Sequence, residues 1–255
     1  MKKQTLLDRA IKVIQKEGMI SFFKRIILYF AYKLKLCILP YAILKVKINR
    51  KMENIEDLVN FCFYGVGGLL KPSQIREEIM ELLKILDKIK PKVIVEIGTA
   101  NGGTLFLFSR IAAKDATIIS IDLPGGKFGG GYPRWRIPLY KAFKLPKQRL
   151  YLIRADSHSQ ETLKKVKEIL NNKKVDFLFI DGDHTYKGVK KDFEMYSPLV
   201  ERVIVLHDIV LGPRENVGGV PEFWREIKGK YNTREIVKDW DQEGYGIGVI
   251  YKGMN

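Results

Sequence analysis

The sequence predicts an α/β fold, doubly wound about a mostly parallel seven-stranded sheet, with a C-terminal antiparallel hairpin and a basic helical N-terminal arm. Three observations predict it. Five short runs, Val93 to Ile97, Thr117 to Ile121, Leu150 to Ala155, Val175 to Ile180 and Val203 to Leu206, are nearly continuous in apolar character, as strands buried on both faces are. Helical patterns alternate with them, which calls for parallel strands. Two last strand-like runs, Arg234 to Asp239 and Gly246 to Tyr251, are joined by Asp241 to Tyr245 with Gly244 available for a hairpin bend.

Each helix has its own signal. Ser73 reads as an N-cap, Glu77 and Glu78 sit in the first turn, and Ile75, Ile79, Leu82, Leu83 and Leu86 recur at helical spacing until Pro91. Gly102 to Ala113, Gln160 to Leu170 and Tyr186 to Tyr196 follow the same logic between strands. Gly125 to Gly131 is a glycine-rich loop after the second strand, and with Tyr132 and Trp135 it is expected to form a lid; Trp224 is a further lid or core candidate.

The chain has 255 residues, 46% hydrophobic and 29% charged, so wholesale disorder is excluded. With only Cys37 and Cys62, no disulfide framework or cysteine-rich zinc site can hold the main domain. The formal charge is +16, yet residues 1–53 hold 13 Lys and Arg against 3 Asp and Glu. Most of the basicity therefore belongs to an arm, set at residues 1–72, and the main domain is set at 73–255. The arm's uncharged runs, Ile26 to Tyr32 and Leu36 to Leu44, fall short of the roughly 20 residues a spanning helix needs. Two readings of it stand: an apolar face packed on protein, the main domain or a second subunit of a homo-oligomer, or an anionic membrane surface met by its lysines. A cytoplasmic location is expected, with the peripheral inner membrane face as its variant. Nucleic acid is not expected as a partner, for the main domain shows no binding motif.

Ligands of open parallel sheets bind beyond the carboxyl ends of the strands. There the chain places Glu96, Asp122, Asp156, Asp181 and the pair His207-Asp208, one carboxylate per strand, and all three histidines, His158, His184 and His207. Capping explains an aspartate at a strand-to-helix turn singly. It does not explain Glu96 and Asp122 within or directly after apolar runs, where an unsatisfied charge costs several kcal/mol. The first turn, Glu96-Ile-Gly98-Thr99-Ala-Asn-Gly102-Gly103, lets backbone approach a ligand and opens a helix whose N-terminus favours an anion. Its spacing departs from G-x-G-x-x-G, which weighs against a dinucleotide. Asp122 is placed to accept hydrogen bonds from ribose hydroxyls, so an adenosine-containing ligand is expected.

These residues resemble the class I S-adenosylmethionine-dependent methyltransferases. The likeness rests on Val-Glu96-Ile-Gly98-Thr-Ala-Asn-Gly-Gly, Ile-Asp122, Ala-Asp156-Ser157, Phe-Ile-Asp181-Gly-Asp183-His184-Thr-Tyr186 and Leu-His207-Asp208-Ile, over roughly residues 73–253. The stretch from Asp181 is similar to the metal-dependent O-methyltransferases of the cephalosporin hydroxylase and macrocin O-methyltransferase type. The resemblance implies that Glu96 and the turn Gly98, Thr99, Gly102 and Gly103 hold the methionine moiety of S-adenosylmethionine, Asp122 the ribose, and Asp156 with Ser157 the adenine edge. It further implies that Asp181, shared with the cofactor site, joins His207 and Asp208 around a divalent cation, Mg²⁺ or Mn²⁺. Related enzymes often carry an acid where His207 stands, and an imidazole shifts metal preference away from magnesium. His184 or Asp183 is expected to take the acceptor's proton, with His184 favoured because its ordinary pKa lies near neutrality. The acceptor is expected to be a sugar or glycan hydroxyl or a small molecule. A nicotinamide-dependent oxidoreductase and a non-catalytic membrane-associated binding protein are the rival functions.

Overall fold

The computed structural model describes residues 19, 20, 23, 38–125 and 131–253. The chain divides into two compact units, residues 1–44 and 45–255. Most of the basic arm thus falls outside the described residues, and the readings placed on it remain expectations. Among the described residues no helix is long and apolar enough to cross a membrane.

The second unit is built on a seven-stranded sheet in the order β3-β2-β1-β4-β5-β7-β6. The strands are β1 Val93–Ile97, β2 Thr117–Asp122, β3 Arg149–Arg154, β4 Val175–Ile180, β5 Val200–His207, β6 Asn232–Ile236 and β7 Ile247–Tyr251. β1 to β5 pair in parallel, whereas β7 runs antiparallel to β5 and to β6, as the terminal hairpin requires. The chain winds outward from β1 to β3 and returns to β4 beside β1, so a crevice opens between the ends of β1 and β4.

β1, β2 and β4 are buried at every position, as continuous apolar runs dictate. β3 is not: Arg149 and Tyr151 are exposed, because this strand ends up at the sheet edge, where one flank faces solvent. The helices Gln160–Leu170 and Tyr186–Tyr196 form where expected, capped by the hydroxyls of Ser159 and Thr185. Ser73 does not cap its helix. That helix runs Arg76–Ile89 from Ile75, with no side-chain cap, and ends at Lys90 in the left-handed region.

Residues 45–72, counted above with the arm, pack on the domain. Asn54 caps the helix Ile55–Tyr64 by accepting from the amides of Glu56 and Asp57, and Leu58, Val59, Phe61, Cys62 and Phe63 are its buried face. Phe61 meets Phe106 at 5.5 Å between ring centroids. The Cys62 thiol, its pKa raised by burial, donates to the Leu70 carbonyl at 3.2 Å. Arg110 reaches the Val46 carbonyl at 2.9 Å, and Arg136 reaches those of Leu69 and Asn101, both at 3.1 Å.

Two aromatic lid candidates are core residues. Tyr132 is buried against Tyr140, ring centroids 4.9 Å apart, and Trp224 packs over Gly248 while its indole donates to Glu235 at 2.6 Å. Of the loop itself, residues 126–130 lie outside the described residues.

Candidate functional site

At the end of β1 the backbone turns sharply. Gly98 has φ 95°, and a Cβ there would lie 1.9 Å from the Asp181 carbonyl oxygen. Only glycine lets the exits of β1 and β4 approach so closely. Gly102, at φ 78°, caps the helix Gly103–Ile111, and a Cβ would meet the Tyr140 ring at 2.5 Å. At Gly103 it would meet the Leu70 carbonyl at 2.3 Å. The glycines expected to admit a ligand therefore first admit neighbouring protein.

Glu96 is fully buried behind this turn. Its carboxylate accepts from the Thr104 hydroxyl on one oxygen and the Ser120 hydroxyl on the other, each at 2.7 Å. Burial pushes its pKa up to about 8, against the pull of those two donors. Glu96 does not line the cavity described next, and neither do Thr99, Gly102 and Gly103. Thr99 instead gives its backbone amide to Asp122 at 3.0 Å.

That cavity, of about 1160 Å³, lies along the carboxyl edge. Gly98, Asp122, Asp156, Ser157, Asp181, Asp183, His184, His207 and Asp208 all line it, as does His158. Asp122 ends β2 with its oxygens accepting from four backbone amides, Thr99, Ala100, Leu123 and Gly131, at 2.7 to 3.0 Å. Burial nevertheless raises its pKa. Asp156 accepts from the His158 amide at 2.8 Å, and its side chain is largely open to the cavity and solvent. Asp183 accepts from the Thr185 amide at 2.9 Å, a turn-forming bond that occupies one oxygen of this base candidate.

Around Asp181 the charges are dense. The His207 Nδ1 stands 3.2 Å from Asp181 Oδ1 and 3.3 Å from Asp208 Oδ1. The His184 Nε2 is 3.3 Å from Asp181 Oδ1, and its Nδ1 is 3.3 Å from Asp208 Oδ2 and 2.6 Å from the Asn216 carbonyl. Burial alone would raise the Asp181 carboxyl, yet the His207 charge and the imidazole hydrogen bonds hold it below the usual carboxylate range. Burial opposes the charge on His184, but the bond to Asp181 and the two carboxylates push it up to about 9. The same balance raises His207 well above its ordinary value. His184 is therefore an imidazolium at neutral pH, not the half-titrated base that its unperturbed pKa suggests.

Asp181, His184 and Asp208 can each bring one ligand atom within 4.8 Å of the others. His207, expected in that set, is not part of the group; it is 3% exposed, and its Nε2 is buried without a hydrogen-bond partner among the described residues. Asp208 has φ 63°, a left-handed conformation that aspartate tolerates better than most residues.

Three contributors escaped the sequence reading. The Gln74 amide donates to Asp181 Oδ2 at 2.8 Å from just before the helix Arg76–Ile89. The Asn216 carbonyl fixes His184. Asp192, fully buried on the helix Tyr186–Tyr196, lies 3.2 Å from His158 Nε2, and this bond, outweighing burial, raises the His158 pKa. Gln74 and Asn216 carry no recognisable pattern; Asp192 is a lone acid at a core-facing position of an amphipathic helix, and that was a usable signal.

Residues 95–209 match a family model described as a methyltransferase domain. A protein of Sinorhizobium fredii described as uncharacterized protein y4gI is 28% identical over 174 residues, which is 66% of this chain and 18% of that protein, so the chain spans under a fifth of this relative. Among solved structures, the O-methyltransferase TomG from Streptomyces achromogenes, involved in tomaymycin synthesis and in complex with SAM, is similar with a TM-score of 0.50 and 16% identity, covering 82% of this chain and 96% of TomG. The calicheamicin methyltransferase CalS11 is similar with a TM-score of 0.53 and 15% identity, covering 84% of this chain and 93% of CalS11. At such identities the likeness is one of fold.

Proposed function

We propose that the chain, whose residues 95–209 match a model described as a methyltransferase domain, is an S-adenosylmethionine-dependent O-methyltransferase acting on a hydroxyl of a sugar, glycan or small molecule. The observation that carries this reading is the shared cavity: Asp122, Asp156, Asp181, His184 and Asp208, from four separate strand ends, line one volume of about 1160 Å³. In this reading Asp122 holds the ribose, Asp156 and Ser157 the adenine edge, and the Gly98 turn the methionine end. The structural kinship to TomG, which is in complex with SAM, supports the choice of donor.

The acceptor oxygen forms its bond to the methyl carbon as the carbon–sulfur bond breaks, and that electron pair stays on sulfur, leaving S-adenosylhomocysteine. The hydroxyl proton must go to the protein, and the enzyme's contribution is chiefly position and proton removal. His184 is the proton acceptor in its neutral form, so its own proton must first leave. Asp181 and Asp208 orient the imidazole through its two nitrogens.

Two carboxylates and one imidazole suit a manganese-like cation better than magnesium, so Asp181, Asp208 and His184 would hold such an ion, and in that state His184 would be a ligand and Asp183 the proton acceptor. When bound it would supply positive charge that offsets the two carboxylates and lowers the pKa of an acceptor hydroxyl.

Titration calorimetry with S-adenosylmethionine and with NAD, each with and without Mn²⁺, tests the reading. S-adenosylmethionine is expected to bind and NAD to give no heat. NAD binding alone would favour the oxidoreductase, and silence from both would favour a non-enzymatic role.

A further inference from the structure

The acidic cavity adjoins a second one of about 560 Å³, and Ser73, Asn101 and Tyr245 line both. The two differ in charge. Among the described residues seven acids line the first, whereas Lys71 and Arg76 and no acid line the second. Arg76 is shared with Glu56 and Asn60, so Lys71, exposed at the rim, presents the more available cation.

Gln74 lines the second cavity and ties it to the first. It is 5% exposed, and while its Nε2 donates to Asp181 Oδ2, its Oε1 is buried with no hydrogen-bond partner among the described residues. A buried carbonyl left unpaired is costly unless a ligand donates to it. Its natural partner is a hydroxyl, arriving next to the carboxylate that borders the methyl donor's cavity.

We propose that the second cavity is the acceptor subsite, that the acceptor is a hydroxyl compound bearing an anionic group, phosphate or carboxylate, and that Gln74 accepts a hydrogen bond from one of its hydroxyls beside Asp181. This rests on the methyltransferase reading above. A cationic donor then lies among acids and an anionic acceptor against Lys71, so each cavity disfavours the other's ligand.

The test uses the full chain saturated with S-adenosylhomocysteine and probed by ligand-observed NMR titration with glucose 6-phosphate, glucuronate and glucose. At least one of the two anionic sugars is expected to bind about tenfold more tightly than glucose, a gain typical of one well-placed charge. Preference for one over the other identifies phosphate or carboxylate as the source of the charge. Lys71→Glu should abolish the preference with S-adenosylhomocysteine affinity retained. Gln74→Leu should weaken every sugar and, by taking the amide from Asp181, lower the thermal midpoint; sugar affinity unchanged in that variant overturns the role given to Gln74. Equal binding of all three sugars, or a preference that survives Lys71→Glu, overturns the proposal. Failure of S-adenosylhomocysteine itself to bind overturns instead the function on which it rests.

Discussion

Glu96, beneath the first turn, is a fully buried carboxylate, and Asp181, just past the end of the neighbouring strand, is a mostly buried one, yet their proton affinities move in opposite directions. Glu96 meets two hydroxyls and no cation, so burial prevails and its pKa climbs to about 8. Asp181 meets His184, His207 and the Gln74 amide, and burial is outweighed. Desolvation sets the size of the stake, and the charge of the nearest partner decides its sign. The floor of the site is held by near-neutral hydrogen bonds, while the rim is an ionic network in which acid and base chemistry can be arranged.

That contrast can be broken most forcefully at the rim. Asp181→Ala should leave the His184 and His207 charges to share Asp208 alone and cost up to about 3–5 kcal/mol of stability, the range for loss of one partner in a buried pair. Urea denaturation of the variant would read it, and an unchanged midpoint would mean that the imidazoles are neutral. His184→Ala should lower methyl transfer by about 10²- to 10⁴-fold with S-adenosylmethionine affinity retained; turnover close to that of the parent would move the base elsewhere.

The pH profile sharpens the same point. With His184 titrating at about 9, turnover should rise through neutrality toward that pH. The stability it confers is full below its unfolded value near 6.5 and is lost as pH climbs through about 9. Added Mn²⁺ should move the turnover profile to lower pH, and a profile flat between 7 and 9 would remove His184 from the step.

The smallest effect is expected on the floor. Glu96 has a folded pKa above its unfolded 4.5, so its contribution is complete below 4.5 and fades as pH rises through about 8. Glu96→Gln should therefore flatten that decline by up to about 3 kcal/mol, measured as denaturation midpoints at pH 5 and pH 8. Parallel slopes for the two proteins would mean that Glu96 is ionised throughout.

Much of this was legible beforehand because parallel strands buried on both faces leave long apolar runs, and β1 and β4 fall where those runs predict. The gathering of Asp122, Asp156, Asp181 and Asp208 in one cavity follows from strand direction alone. What escaped depended on tertiary neighbours. The edge position of β3 is a matter of topology, and apolar content cannot report it. The charge of the first 53 residues drew Ile55–Tyr64 into the arm, although Asn54 followed by Glu56 and Asp57 is a readable helix start. The proton affinity of His184 was misjudged because two of its partners, Asp208 and the Asn216 carbonyl, come from distant segments.

The left-handed backbone at Asp208 gives that residue two jobs, one electrostatic and one conformational. An alanine scan would merge them, since removal of the carboxylate also installs a side chain ill-suited to that twist. Asparagine keeps the local geometry and subtracts only the charge, so the pair Asp208→Asn and Asp208→Ala would apportion between chemistry and shape whatever activity is lost.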